Sequence, residues 1–186
     1  GADWTPRFVD FFAAETRTPE YREINVMGEV PVFEHGDLRL SQTGVILDYL
    51  VGRIGRFGWQ SEEERREIFR WLFFDNHKLT SYTASLRFLR YYMKSEDTAV
   101  LDFLQGRAFS AYSVLDAHLA GKDFVIGDRP TIADLSLCGY LYWPEEIGVD
   151  WTDYDNISGW LERTVGPRPL FTVGAGAIVL ADRKST

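Results

Sequence analysis

The sequence predicts an α/β region followed by an all-helical region. Strand-like and helix-like segments alternate in the first third of the chain, whereas beyond it hydrophobic residues recur at helical spacing. A polar, glycine-rich stretch, Gly52 to Glu64, separates the two patterns, as expected of a linker. The expected boundaries are an α/β domain at 1–53, a linker at 54–64, a helical domain at 65–169 and an atypical tail at 170–186.

Composition and charge restrict the partners. With 186 residues, 45% hydrophobic and 26% charged, the chain has the composition of a folded soluble protein. Its formal charge of -8 would repel nucleic-acid phosphates and anionic lipids, so we expect neither nucleic acid nor a membrane as partner. Cys138 is the only cysteine, which excludes an internal disulfide and favours a reducing, cytoplasmic location.

The first elements are a strand and a helix. The segment from Pro6 to Phe12 is aromatic and β-branched, which predicts a buried strand. Thr18 is a good N-cap, and Pro19 suits the first position of a helix, since its missing N–H would have no partner there. We therefore predict a helix that starts at Pro19 and ends by Gly28.

A hairpin and a second helix complete the α/β region. Two short strand-like runs, Val30 to Glu34 and Asp37 to Leu40, flank His35 and Gly36, which predicts a tight turn between antiparallel strands. A helix follows from Thr43 to Arg53, because apolar residues recur on one side of it: Val45, Ile46, Tyr49 and Leu50.

The second region reads as a bundle of helices. Helical periodicity extends from Arg65 to about Lys94 and again from Thr98 to Leu119. Further along, Thr131 and Asp134 have the spacing of a capping box, in which each side chain accepts a hydrogen bond from the other residue's backbone. Such boxes start helices in every fold, so this one predicts structure and not chemistry.

Pro31 interrupts the first strand of the hairpin. Because proline cannot donate to a sheet, it is tolerated only at an edge, a strand start or a bulge. If the bond between Val30 and Pro31 is cis, the backbone N–H and C=O of Val30 face outward and can pair with an extended peptide.

Gln42 and Thr43 begin the next helix. The unpaired N–H groups and the dipole of a helix start favour a carboxylate, and the two side chains add hydrogen bonds. Together with Val30 they predict a site for an extended ligand with an anionic end. The alternative is a structural proline turn followed by an ordinary polar helix start.

These motifs, in this order, resemble the glutathione transferase superfamily from about Arg7 to Arg163. The resemblance implies a thioredoxin-like N-terminal domain and an all-helical C-terminal domain. Val30 and Pro31 match the family's cis-proline motif, whose first residue pairs with the cysteinyl part of glutathione. Gln42 and Thr43 match the pair that holds the γ-glutamyl group. Thr131 and Asp134 match the capping box of the C-terminal domain.

The resemblance also implies an activity. A glutathione transferase attacks small electrophiles with the thiolate of glutathione, as in detoxification, without a metal ion, and usually as a homodimer. The family's catalytic Tyr, Ser or Cys follows the first strand. The resemblance implies that this chain begins at the second strand, so the N-terminal domain is expected to be incomplete. The catalytic residue is therefore unknown.

Two alternatives remain open. One is a non-catalytic member of the family that serves binding or assembly, and the other is a glutathione-dependent reductase or dehalogenase that uses a cysteine.

The electrophile pocket is expected on the long helix after the linker. The residues proposed for it are Asn76, His77, Tyr82 and Phe88. A metal site is not expected, because His35, His77 and His118 lie far apart in sequence and form no ligand spacing.

Overall fold

The computed structural model describes residues 4–165 of the chain. They form two compact units that divide between Gly55 and Arg56, and we call residues 4–55 unit 1 and residues 56–165 unit 2. Unit 1 contains strands and helices and unit 2 is helical, which confirms the predicted fold class. The division falls inside the expected linker, and the expected tail at 170–186 lies outside the described residues.

The elements of unit 1 follow a short 3-10 turn at Glu15–Arg17. They are helix α1 (Pro19–Ile24), strands β1 (Val32–His35) and β2 (Leu38–Ser41), and helix α2 (Thr43–Ile54). Helix α1 starts as predicted, because the Thr18 hydroxyl accepts from the backbone N–H of Tyr21 at 3.2 Å. It ends before the expected Gly28, since Asn25 is extended and its side chain accepts from the N–H of Met27.

Strands β1 and β2 form the predicted antiparallel hairpin. Val32 lies opposite Ser41 and His35 opposite Leu38, so the register places Glu34 beside Arg39. These two side chains form an ion pair at 2.9 Å on the exposed face of the hairpin. Gly36 has φ +59° in the turn, a conformation that glycine adopts without steric cost.

The predicted strand from Pro6 to Phe12 is wrong. The segment has no regular structure before a turn at Phe11, and the Phe8 side chain is 62% exposed. Its backbone makes local hydrogen bonds, such as that from the Glu15 N–H to the Asp10 carbonyl at 3.0 Å. A strand needs a neighbour, and within residues 4–165 the two strands pair only with each other.

The elements of unit 2 are all helical. They are α3 (Glu62–Phe74), a π-helical turn (Asp75–Leu79), α4 (Thr80–Arg87), a second π-helical turn (Phe88–Tyr92), α5 (Thr98–Leu119), α6 (Ile132–Leu137), α7 (Pro144–Ile147), a 3-10 turn (Trp151–Asp153) and α8 (Asp155–Val165). Helix α5 has the predicted bounds. The helix predicted from Arg65 starts three residues earlier, because Ser61 caps it by accepting from the Glu64 N–H at 3.1 Å.

The predicted helix at 65–94 is not one regular helix. Two π-helical turns interrupt it, and each inserts an extra residue into the helical ladder. Leu79 and Leu86 nevertheless remain fully buried, so the apolar face continues across the first interruption. Apolar periodicity alone therefore predicts a helical segment with one apolar face, but not the pattern of its backbone hydrogen bonds.

The core of unit 2 lies around helix α5. Helix α4 packs on one side of α5 and helix α8 on another. The hydroxyls of Thr83 on α4 and Tyr112 on α5 are 2.8 Å apart in this core. Burial raises the pKa of Tyr112, so its hydroxyl stays neutral and serves the hydrogen bond. None of the helices within residues 4–165 combines the length and the apolar character that a membrane crossing needs.

Candidate functional site

The backbone of Val30 stands free at the start of the hairpin. The peptide bond between Val30 and Pro31 is cis, and Pro31 directly precedes β1. Within the described part of the chain, no hydrogen bond involves the N–H or C=O of Val30. Both groups are therefore available to a ligand that approaches as an extended strand.

Helix α2 starts without a side-chain cap. Gln42 is its N-cap residue, with its carbonyl accepting from the N–H of Val45 at 3.0 Å. Its φ of 69° is unfavourable for a residue with a side chain, and such strained positions cluster at functional sites. Thr43 is exposed, and α2 carries no acidic residue in its first turn that could occupy the helix start.

A hydrogen bond connects these two features. The Nε2 of Gln42 donates to the Oε2 of Glu29 at 2.9 Å and lies 3.0 Å from the sulfur of Met27. Since Glu29 is the residue before Val30, the contact brings the Gln42 side chain close to the free backbone of Val30. The four residues of the predicted ligand site, Val30, Pro31, Gln42 and Thr43, therefore lie close together in unit 1.

Two buried side chains that the sequence analysis missed support this backbone. The Tyr21 hydroxyl and the Asn25 amide both donate to the carbonyl oxygen of Glu29, at 2.9 and 2.7 Å. Burial, with a smaller effect of the Glu15 charge, raises the pKa of Tyr21, so the hydroxyl keeps the proton that it donates. A polar asparagine three residues before Gly28 was the signal available in the sequence.

The residues predicted for the electrophile pocket lie on the helical run of unit 2. Asn76 and His77 are exposed in the first π-helical turn. Tyr82 is half-buried, with the Arg107 guanidinium 5.3 Å from its ring centre, and Phe88 begins the second π-helical turn. Their role in a pocket stays a prediction.

The capping box at Thr131 and Asp134 is present. The Thr131 hydroxyl accepts from the backbone N–H of Asp134 and from that of Ala133, the latter at 3.2 Å, and the Asp134 carboxylate accepts from the N–H of Thr131 at 2.8 Å. Asp134 is fully buried and also accepts from the Val125 N–H and the Trp160 indole, at 2.8 and 2.9 Å. The box therefore organises the core of unit 2.

Two of the three histidines have partners within their own unit. The Nδ1 of His35 lies 2.6 Å from the Tyr49 hydroxyl, and the Nε2 of His118 lies 2.7 Å from the carbonyl of Val125. Across residues 4–165, no three His, Cys, Asp or Glu side chains come together in an arrangement that could hold a metal ion.

Two family models match the chain. The N-terminal domain of glutathione S-transferase matches residues 1–52, and the C-terminal domain of glutathione S-transferase matches residues 78–166. The first model covers the hairpin and most of helix α2, and therefore all four predicted glutathione contacts.

Relatives and solved structures agree with these models. Glutathione S-transferase GST-4.5 of Xanthomonas campestris pv. campestris is 29% identical over 157 residues, which are 81% of this chain and 76% of the relative. The crystal structure of a possible glutathione S-transferase from Rhodopseudomonas palustris is 28% identical, with a TM-score of 0.79 over 94% of this chain and 79% of the other. A family member from Pseudomonas fluorescens with two glutathione bound is 27% identical, with a TM-score of 0.71 over 87% and 76% of the two chains.

Motif order, fold and both family models agree, with unit 1 supplying the thioredoxin-like part and unit 2 the helical part. The chain belongs to the glutathione S-transferase superfamily.

Proposed function

We propose that this chain binds glutathione through unit 1 and, as a glutathione transferase, conjugates the glutathione thiolate to small electrophiles. The observation that carries the proposal is the position of Gln42, whose amide lies against Glu29 while the adjacent backbone of Val30 has no partner among residues 4–165. A related structure that contains glutathione supports it.

The proposed binding mode uses each predicted residue once. The N–H and C=O of Val30 pair with the cysteinyl unit, and Pro31, which precedes β1, has no N–H that could compete for those bonds. Gln42 and Thr43, with the first N–H groups of α2, receive the carboxylate of the γ-glutamyl unit. The ligand is then an extended tripeptide that lies beside the hairpin.

The chemistry requires a thiolate. A donor beside the glutathione sulfur lowers the pKa of the thiol, which loses its proton to solvent. The thiolate then attacks an electrophilic carbon and forms a thioether, while the leaving group of the electrophile, such as chloride, departs with its bonding electrons. We assign this donor to no described residue. Asn76, His77, Tyr82 and Phe88 are proposed to contact the electrophile. The expected assembly is a homodimer in the cytoplasm, and light scattering of the purified protein tests the dimer.

Calorimetric titration with glutathione tests the binding. Thr43→Ala should weaken glutathione binding by about fivefold, because one hydrogen bond to a charged group is lost at an exposed site. Thr98→Ala is the matched control, since Thr98 is also an exposed first residue of a helix, α5. Equal affinity of Thr43→Ala and wild type, or no binding by wild type, would contradict the proposed site.

A turnover assay tests the catalytic part of the proposal. The protein is mixed with glutathione and 1-chloro-2,4-dinitrobenzene, and formation of the thioether is followed by absorbance. Turnover that Thr43→Ala slows and Thr98→Ala leaves unchanged supports a transferase. Glutathione binding without turnover of any electrophile tested supports instead the binding or assembly alternative.

A further inference from the structure

Met27 lies beside the proposed glutathione site and is exposed to solvent. The residue is 51% exposed, and the Nε2 of Gln42 donates to its sulfur at 3.0 Å. The same Nε2 donates to the Oε2 of Glu29 at 2.9 Å, so the two contacts together set the direction of the Gln42 amide. A chemical change at the Met27 sulfur therefore acts on a side chain that the proposed site uses.

The backbone that carries Met27 is held in place. Its N–H donates to the side-chain oxygen of Asn25 at 3.1 Å, and Asn25 is 5% exposed. The Arg22 guanidinium donates to the carbonyl of Val26, the preceding residue, at 2.6 Å. Because this turn is fixed on both sides, a new group on the sulfur displaces side chains rather than the backbone.

An exposed thioether is open to oxidation by a peroxide. A lone pair of the sulfur attacks one peroxide oxygen and the O–O bond breaks, and the proton of the transferred hydroxyl joins the leaving hydroxide to form water. The sulfur is oxidised to a sulfoxide, and the peroxide is reduced. The sulfoxide oxygen is a stronger hydrogen-bond acceptor than a thioether sulfur, and the side chain becomes polar and chiral.

We propose that Met27 is an oxidation site through which a peroxide weakens ligand binding by unit 1. This inference rests on the proposed glutathione site. An oxygen added on the side of Gln42 comes between the sulfur and Nε2 and pushes the amide away. An oxygen added on the other side removes electron density from the sulfur, which then accepts poorly from Nε2. Either epimer moves the Gln42 amide from the position in which it meets the γ-glutamyl unit.

The other sulfur atoms of the chain have different surroundings. Met93, the second of two methionines, is 58% exposed in unit 2, and no hydrogen bond within residues 4–165 involves its sulfur. Cys138, the only cysteine, is 1% exposed, so a peroxide in solution does not reach it in the folded protein. Met93 is therefore a matched control, because it is as accessible as Met27 but has no polar contact.

Calorimetric titration with glutathione before and after peroxide treatment tests the proposal. The full chain is treated with hydrogen peroxide and desalted, so that no oxidant reaches the glutathione thiol, and peptide mass spectrometry measures the oxygen gained at each methionine. Oxidised wild type should bind glutathione about fivefold more weakly than untreated protein, as expected when one hydrogen bond to a charged group is misplaced. Methionine sulfoxide reductases A and B, which reduce one epimer each, should restore the affinity.

Substitutions separate the two methionines. Met93→Leu should lose affinity on oxidation as wild type does, whereas the affinity of Met27→Leu should be the same before and after treatment. Met27→Gln carries an amide oxygen on the atom that replaces the sulfur, as the sulfoxide does. Without any oxidant, it should bind glutathione about fivefold more weakly than Met27→Leu.

Three results would overturn the role of Met27 and leave the glutathione site in place. They are unchanged affinity of wild type whose Met27 is fully oxidised, an equal loss of affinity in treated Met27→Leu, and a Met27 that stays unoxidised under conditions that oxidise Met93. If untreated wild type does not bind glutathione, the proposed function fails, and this inference fails with it.

Discussion

The hydroxyl of Tyr21 donates to the carbonyl oxygen of Glu29 at 2.9 Å. The side-chain amide of Asn25 donates to the same oxygen at 2.7 Å, and both Tyr21 and Asn25 are buried. This carbonyl belongs to the peptide group that joins Glu29 to Val30. Two buried donors therefore fix the backbone next to the proposed glutathione contact.

Removing one of these donors should weaken both stability and binding. Tyr21→Phe deletes the hydroxyl but keeps the ring, and it should lower the free energy of unfolding by about 1 kcal/mol, the usual contribution of one hydrogen bond. Glutathione should bind a few-fold more weakly, because the carbonyl of Glu29 keeps only the Asn25 donor. Urea unfolding and calorimetric titration measure the two effects.

Tyr91→Phe is the control for this prediction. Tyr91 is 50% exposed in unit 2, so losing its hydroxyl should change neither quantity. A Tyr21→Phe variant as stable as wild type and with the same glutathione affinity would show that Asn25 alone holds the Glu29 carbonyl.

Asp134 should be the most sensitive polar residue of unit 2. Its carboxylate accepts from the Val125 N–H, the Thr131 N–H and hydroxyl, and the Trp160 indole. Asp134→Asn replaces one carboxylate oxygen by an N–H₂ group that faces two of these four donors, and it should destabilise the protein by about 3 kcal/mol in urea unfolding. Thr131→Ala should cost about 2 kcal/mol, since it removes both the cap and the hydroxyl that donates to Asp134.

The exposed Asp128 provides the control for that series, and Asp128→Asn should leave the unfolding midpoint unchanged. A small effect of Asp134→Asn, similar to that of Asp128→Asn, would mean that water or a shifted Trp160 ring replaces the lost acceptor.

Features set by neighbouring residues could be predicted from the sequence. The start of α1 depends on Thr18 and Pro19, and the start of α6 depends on Thr131 and Asp134, all within one helical turn. Ser61 and Glu64 carry the same kind of signal, whereas apolar periodicity alone places the start of α3 three residues too late.

Features set by distant residues could not be predicted in this way. The segment at Pro6 to Phe12 has the composition of a strand, but a strand forms only where a neighbour offers hydrogen bonds. The contact between Gln42 and Glu29 joins residues on either side of the hairpin, so it depends on the register of β1 and β2. The sequence pattern predicted Gln42 as a ligand but gave no reason to single out Glu29.

Breaking the ion pair between Arg87 and Glu146 by removing one partner should destabilise unit 2. Arg87 is 6% exposed, its Nε donates to Glu146 at 2.6 Å, and its guanidinium lies 4.9 Å from the Trp143 ring centre. Glu146→Ala leaves a buried cation without its counter-ion and should cost about 3 kcal/mol in urea unfolding.

The double variant Arg87→Met, Glu146→Leu removes both charges and should recover most of that loss, because two apolar side chains can fill a similar volume. If the double variant is less stable than Glu146→Ala, the pair stabilises unit 2 by more than the cost of an isolated charge.

Asp75 should make the stability of the protein depend on pH. It is 4% exposed, and burial raises its pKa above the ordinary value of 3.8, although Ser136 and Thr80 donate to it and oppose the shift. The folded state therefore binds the proton more readily than the unfolded chain. The contribution of Asp75 to the free energy of unfolding is complete below the ordinary pKa. It is lost as the pH rises through the raised pKa of the folded state.

The test compares wild type with Asp75→Asn, which cannot ionise. The stability of wild type relative to Asp75→Asn should increase as the pH falls from about 7 to about 4, measured by urea unfolding at each pH. Asp102→Asn, at an exposed position of α5, should show no such trend. A decrease on acidification would mean that the two hydroxyl donors outweigh burial.

Cys138 should be unreactive in the folded protein. Burial, followed by the charge of Asp134, raises the pKa of its thiol to about 12, so almost no thiolate forms near neutral pH. A thiol reagent such as 5,5′-dithiobis(2-nitrobenzoate) should react with it at least about a hundredfold faster in urea than in the native state, because only the unfolded chain exposes the sulfur.

Cys138→Ala should keep glutathione binding and turnover, at a cost of about 1 kcal/mol for the small cavity. Loss of turnover in a folded Cys138→Ala variant would instead favour cysteine-based chemistry of the reductase or dehalogenase type.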